Sequence, residues 1–509
     1  MHKFIVQKVL TFSRHCGIMG IVHSDDPFVM PNLNITYIFT LKERLTTMKI
    51  KLAVIGGGSV NWMRGLMRDI YGLRGVEGGE IRLVDPNVSH VTSVRNMLLK
   101  FNECSEKNFE VSIVEDRKEA LRGCDFVLTT FSPGAMDAFF NDLEIPVKYG
   151  VRLPVSMTCG ISGASAALRT VPVAYEIVQD MEEVCPGAVL LNVTNPMTAV
   201  TKAFNLPAKT VTVYGICHEI FALRHYVNRI FGIDTQPGMT NGQFLYTYLP
   251  EQGFEYTVAG LNHFIWLTKA TLHGEDVLGR ICQFAMEHEG FDEQPAHYQA
   301  TNSYANNGQA KLALCRQLGY LPIPGDRHLI EFMSSLCNNQ NGFGMDYGVL
   351  KTTVDSRRLD KVLQQREIDR IANGEVPVNF NGSGEDIAGI IQSYLDKTEM
   401  ITICNCPNIG QISNLPLGTI VETKVKKEKD GTVTPIPAGD LPRPIQHLCY
   451  LHSGINEMVV DAALNGDRKL LIEAMSLDPS TGTMDFKDIP KLCDDLLNAN
   501  RRWLPRFFD

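Results

Sequence analysis

Short apolar runs that end in glycine or a polar turn alternate with amphipathic stretches through the first half of the chain. Ile50 to Ile55 reads as a strand, closed by Gly56-Gly57-Gly58-Ser59-Val60 and followed by a helical stretch from Asn61 to Tyr71. Ile81 to Val84 is a second strand with Asp85 at its C-terminal end. Cys124 to Phe131 is a later strand, and Ala188 to Val193 another, followed by Asn195-Pro196. A helical pattern covers Val171 to Glu183. Strands alternating with helices in this way fold as a parallel, doubly wound sheet. The glycines permit a tight turn and let the backbone approach a pyrophosphate, which the helix N-terminus behind them attracts. Gly56, Gly58, Ser59 and Val60 are therefore candidate dinucleotide contacts. An acid placed like Asp85 accepts hydrogen bonds from the adenosine ribose of NAD. Its plainer use is to cap a helix or close a turn.

The second half mixes the two periods. Thr271 to His288 and Asn302 to Leu318 read as helices, and Gly325-Asp326-Arg327-His328 opens a third. Gly382 to Asp396 reads as a fourth, with Ser383 as cap and Glu385-Asp386 in its first turn. Ile401 to Cys404 is a strand, and Thr419 to Lys426 pairs with Thr432 to Ile436 around Asp430-Gly431. The expected architecture is α/β. A Rossmann-type sheet spans residues 48–214, and an α+β catalytic and oligomerisation domain spans 215–509. Residues 1–47 lack a secretory pattern and are expected to be a non-essential extension.

Composition narrows the partners. The net charge is -9 and no long basic run occurs, which argues against nucleic acid and anionic membranes. The 13 cysteines are an odd number without a scaffold spacing, as expected of free thiols in a reducing, cytoplasmic setting. No stretch is long and apolar enough to span a membrane.

The chemistry gathers around Val213-Tyr214-Gly215-Ile216-Cys217-His218-Glu219-Ile220 and Gly260-Leu261-Asn262-His263. Cys217 and His263 form a thiolate and imidazole pair suited to a metal. His218 beside them is placed to move a proton. Singly, a cysteine is more often a small buried hydrophobe.

Together these motifs resemble glycoside hydrolase family 4, the NAD- and divalent-metal-dependent glycosidases of the lactate/malate dehydrogenase-like superfamily. The matching residues are Ile55-Gly56-Gly57-Gly58-Ser59, Glu144 to Gly150, Ala167-Leu168-Arg169-Thr170-Val171-Pro172 and Asn192-Val193-Thr194-Asn195-Pro196. Gly215-Ile216-Cys217-His218, Gly260-Leu261-Asn262-His263, Gly325-Asp326-Arg327-His328 and Asn408 to Ile412 continue the order. The resemblance implies hydrolysis by a redox route. NAD oxidises carbon 3 of the sugar, a base takes the carbon 2 proton, the aglycone leaves, water adds and the hydride returns. It implies Cys217 and His263 as ligands of Mn²⁺ or another divalent ion, and His218 as the acid. Asn195, Arg327 and His328 are implied as sugar contacts. Where other members carry a Tyr-containing motif this chain has Asp326, the nominated base, with Tyr304 in reserve and helix capping as the alternative use. The Cys217-His218-Glu219 context points away from phospho-sugars and leaves an α-linked glucoside, galactoside or hexuronide. A homodimer or homotetramer is expected.

The chain departs from the family pattern at Ser132 to Ala138, which lacks the usual Arg, and at Pro154 to Thr158. Both imply a different sugar preference. Two rivals remain at this point. A dehydrogenase of a small hydroxy acid or sugar would accumulate NADH. A non-catalytic NAD- or sugar-binding regulator would not bring the acid, base and ligands together.

Overall fold

The computed structural model describes residues 48–291 and 307–508. The extension 1–47 and Tyr304 lie outside the described residues. β1 (Met48–Ile55), β2 (Val76–Val84) and β3 (Asn108–Ile113) form one side of a parallel sheet. β4 (Phe126–Thr129), β5 (Val189–Asn192) and β6 (Thr212–Gly215) form the other. The resulting order 3-2-1-4-5-6 reverses direction between β1 and β4. In open α/β sheets ligands settle at that switch point, outside the carboxyl ends of the strands. Here those ends carry Gly56, Asp85 and Thr130. β4 and β5 are buried throughout, as the central strands of a sheet covered on both faces must be.

The sheet does not stop at β6. Asn405 of β11 (Met400–Pro407) pairs antiparallel with Gly215. From there β12 (Ile420–Lys427), β7 (Phe254–Leu261), β8 (Phe264–Leu272) and β10 (Leu321–Pro322) continue the ladder. With β9 (Glu275–Asp276) and β13 (Val433–Pro435) the described residues make one sheet of 13 strands. Helices of the second part complete the cores on both faces of the parallel sheet. α1 (Met63–Tyr71) lies on one face of the parallel sheet, where Ile368 and Ile371 of the helix Val354–Ala372 and Ile390 of the helix Ile387–Leu395 join its core. α2 (Gly160–Val184) lies on the other face, against Val459 and Ala463 of the helix Arg443–Asn465.

Three expectations are corrected. Thr271 to His288 is not one helix: β8 runs to Leu272 and β9 pairs with it, so the helix begins only at Leu278. The first helix starts at Met63, two residues later than the pattern indicates. The stretch from Gly382 becomes helical only at Ile387, because Asp69 of α1 seizes the turn before it, binding both the N–H (2.9 Å) and the hydroxyl of Ser383.

Arg169 on α2 reaches Asp142 with two hydrogen bonds, 2.7 and 3.1 Å, and both side chains are buried. Asn500 and Ser165 also donate to Asp142, at 3.1 and 2.6 Å. Asp142→Ala would leave a guanidinium uncompensated in the interior. A loss of about 3–5 kcal/mol is expected, read by urea unfolding.

Candidate active site

The glycine turn sits where β1, β2 and β4 end. Gly56 has φ +92°, and a Cβ there would lie 2.3 Å from the Thr130 carbonyl oxygen. A Cβ on Gly58 would lie 2.8 Å from the Asp85 carboxyl carbon. Asp85 follows β2 and uses both oxygens: Oδ2 accepts from Gly58 N–H at 2.9 Å and Oδ1 from Asn87 N–H at 2.8 Å. It therefore fastens the glycine turn as well as its own. Ser59 Oγ accepts from Thr130 Oγ1 at 3.3 Å, and the Val60 side chain is buried in the core, leaving only its backbone to the turn.

Cys217 lies just past the end of β6 and is buried. Burial pushes its thiol well up, and the charges of Glu422, Glu219 and Glu385 push the same way. His263 occupies the turn between β7 and β8 at φ +58°. Its Nδ1 shares a 2.7 Å hydrogen bond with Thr158 Oγ1, which orients the ring and leaves Nε2 available. Burial holds this imidazole well below the usual range, hence neutral, as a ligand must be. The His328 ring stacks on it at 3.8 Å between centroids. Among the described residues no three His, Cys, Asp or Glu side chains form a ready metal cage.

His218 stands at the mouth of a cleft of about 510 Å³, whose walls include Trp62, Glu219, Gly325, Ser383 and Glu385. Its Nδ1 is 2.8 Å from Glu385 Oε1 and its Nε2 is 3.9 Å from Glu219 Oε1. Burial works to lower it, but the Glu385 hydrogen bond and the surrounding carboxylates hold it up at about 9. Its side chain is 52% exposed, so solvent screens part of that pull. Glu219 also accepts from Gly325 N–H and lies 4.0 Å from His328 Nε2. Burial opposes its charge, yet His328, His218 and His263 bring it down to about 2. Glu422 is buried on β12 and burial raises it to about 8, with Asn262 its amide partner at 3.5 Å.

The nominated base is elsewhere. Asp326 is fully buried, and its carboxylate accepts from the N–H groups of Ala310 and Lys311, both at 3.2 Å. These open the helix Gln309–Leu318, whose N-cap is Gly308 and has no side chain to offer. Asp326 thus supplies a cap from a distance. Arg327 is buried too and donates to Thr352 Oγ1. Arg357 brings a second guanidinium near: its Nη2 is 3.9 Å from Met157 Sδ, next to Thr158. Both arginines act on His328, whose burial lowers it to about 4. Asn195 lies past β5, where its Oδ1 accepts from Met197 N–H at 3.2 Å. Glu385, Glu422 and Thr158 are site residues that the sequence reading leaves unassigned. Glu385 reads there as ordinary first-turn chemistry, and Glu422 carries no local signal at all.

The model of the family 4 glycosyl hydrolases matches residues 51–233, and that of their C-terminal domain matches residues 258–481. The chain belongs to glycosyl hydrolase family 4. An alpha-galacturonidase of Lachnoclostridium phytofermentans is 30% identical to this family-4 chain, covering 90% of it and 97% of the relative. The crystal structure of lplD from Bacillus subtilis, 28% identical, matches with a TM-score of 0.79 over 88% of this chain and 100% of its own. The 6-phospho-beta glucosidase of Thermotoga maritima, solved with manganese, NAD+ and glucose-6-phosphate, shares the fold at 19% identity. Its TM-score is 0.67, over 90% of this chain and 99% of its own. The family-4 chain is thus a glycoside hydrolase on an α/β, Rossmann-type framework.

Asp326→Asn separates cap from base. A cap role predicts a fall in stability of about 0.5–2 kcal/mol, measured by chemical unfolding, with turnover largely kept. Loss of turnover at unchanged stability would restore Asp326 as the base.

Proposed function

We propose that the chain is an α-glycosidase dependent on NAD and a divalent metal, Mn²⁺ first, that acts on α-galacturonides by oxidation, elimination, addition and reduction. The observation that carries this reading is the shared cleft, where Trp62, just behind the glycine turn, faces His218, Glu219 and Glu385. A hydrolase working with two flanking carboxylates alone would have no use for a nucleotide turn opening beside its acid. The name of the 30% identical relative supports the uronide and the α-linkage.

The residues fit the absent groups. Gly56, Gly58, Ser59 and Val60 offer backbone to a pyrophosphate, and Asp85 offers lone pairs to a ribose. A Cβ at position 58 would strike Asp85 and spread that turn. Cys217 and His263 Nε2 are a sulfur and nitrogen pair, and the ionised carboxyl of Glu219 supplies negative charge that a divalent ion balances. Two protein ligands leave positions for substrate hydroxyls. When bound, NAD takes a hydride from carbon 3 and returns it, and the metal serves as a Lewis acid for the oxidised sugar.

The chain's own groups do the rest. Glu219, ionised and reaching the cleft, accepts the proton of carbon 2. His218, held by Glu385, donates to the departing oxygen. His328 and Asn195 hold the sugar ring. Arg357, partly exposed beside Met157, meets the sugar carboxylate, with the charge of Arg327 behind it. Residues 48–214 then serve the nucleotide and lend Thr158 and Asn195 to the sugar and metal side, which residues 215–509 otherwise supply.

In heavy water the released sugar should carry deuterium at carbon 2, and Glu219→Gln should suppress exchange and turnover together. Hydrolysis that survives removal of NAD and metal, with no deuterium at carbon 2, overturns the route. Arg357→Leu should lower kcat/KM for 4-nitrophenyl α-galacturonide at least about tenfold while sparing the α-galactoside, as loss of a charged hydrogen bond requires. Equal effects on both substrates would remove the uronide reading.

A further inference from the structure

A second hollow adjoins the cleft and is larger. It measures about 860 Å³ against about 510 Å³, and the two share Asn241, Gly384 and Glu385 as walls. Its size is within the ~300–1,000 Å³ usual for small-molecule sites. It runs between the segment Met239 to Thr247, the turn Gly382 to Asp386 and the start of β11.

Its lining mixes apolar side chains, Met239, Met400 and Ile401 among them, with polar groups. Glu385 spends Oε1 on His218, and its Oε2 is buried without a hydrogen-bond partner. Asp69 and Asp386 accept from the hydroxyls of Ser383 and Thr402. Gln243 uses Oε1 to accept from Thr240 N–H at 2.9 Å, in a capping box that fixes the residue at the rim. The Tyr246 ring adds an aromatic surface, its hydroxyl accepting from Ile403 N–H at 3.2 Å. Two cations border the groove and both are engaged. Arg74 pairs with Asp396 at 3.3 Å, and Lys426 with Glu428 and Glu399 at 3.0 and 3.3 Å. Carboxyls and amides around an aromatic ring suit a ligand rich in hydroxyls, and the engaged cations leave little to attract an anion.

The direction of the substrate follows from His218. Under the function proposed above, His218 protonates the glycosidic oxygen, which must lie against it. The reacting ring lies inward, towards buried Cys217 and His263. The leaving group therefore departs on the side of Glu385, Gly384 and Asn241, where the groove begins.

We propose that this groove binds the leaving group, and that the leaving group is an uncharged saccharide of about two units. The inference rests on His218 as the acid, so its test carries an arm independent of catalysis. Thr247 is exposed on the groove wall and makes no hydrogen bond with the catalytic groups. Thr247→Trp should fill the groove. For a galacturonosyl-galactobiose trisaccharide kcat/KM should fall at least about tenfold, whereas 4-nitrophenyl α-galacturonide should stay within about twofold, since remote substrate contacts feed the transition state only when they are made. Equal losses on both substrates, or none on either, overturn the proposal. Gln243→Trp, with unfolding measured alongside, repeats the test from the rim. Separately, galactobiose alone is titrated calorimetrically. Binding to the wild type that disappears in Thr247→Trp supports the groove even if no galacturonide is cleaved. Absence of binding to the wild type overturns it even if the aryl glycoside is cleaved.

Discussion

Gly215 is the residue on which the two parts of the sheet meet. It ends the last parallel strand and pairs with Asn405 of the antiparallel part. A Cβ there would lie 2.6 Å from Thr201 Oγ1, 2.7 Å from Asn405 Cβ and 3.1 Å from Met197 Sδ. Only a bare backbone allows β6, β11 and the helix Met197–Asn205 to close on one another. The candidate centre depends on that closure. Cys217 comes off the parallel side of the seam two residues later. His263 comes off the antiparallel side, from the tip of the β7–β8 hairpin. Thr158, from the segment before α2, then fixes the imidazole.

The second constraint is charge. Glu219, Glu385 and Glu422 converge around a buried thiol, and each raises its proton affinity. Burial of like charges disfavours the folded state unless something cationic joins them. Part of the balance is local, through His218. Two arginines, Arg327 and Arg357, add positive charge towards His328. The cleft wall itself is carboxyl-rich, with Glu219 and Glu385 in it.

Much of the nucleotide part is legible in the sequence because its signals are local. A strand, a glycine turn, a helix and an acid at the next strand end are read within some forty residues. The same holds for Cys217-His218 and for the hairpin around Asp430-Gly431. What is not legible is long-range. Asp326 looks like an acid at a helix start, but its carboxylate serves a different helix, 15 residues upstream at Lys311. The Gly382 to Asp386 stretch has good helix-start chemistry, and Asp69, 314 residues away from Ser383, holds it as a turn instead. Glu422 sits in a strand buried on both faces, where no alternation marks it.

Asp85 carries a consequence for how this framework can diverge. The carboxylate proposed to meet a ribose is also a tether, holding the glycine turn through Gly58 and the next turn through Asn87. On that proposal, discrimination between dinucleotides and integrity of the turn are drawn from one side chain. A lineage drifting towards a phosphorylated ribose must first recruit another acceptor for the Gly58 amide, so the change passes through at least two coupled substitutions. On the same proposal, cofactor preference would be protected by the architecture of the turn as well as by binding itself.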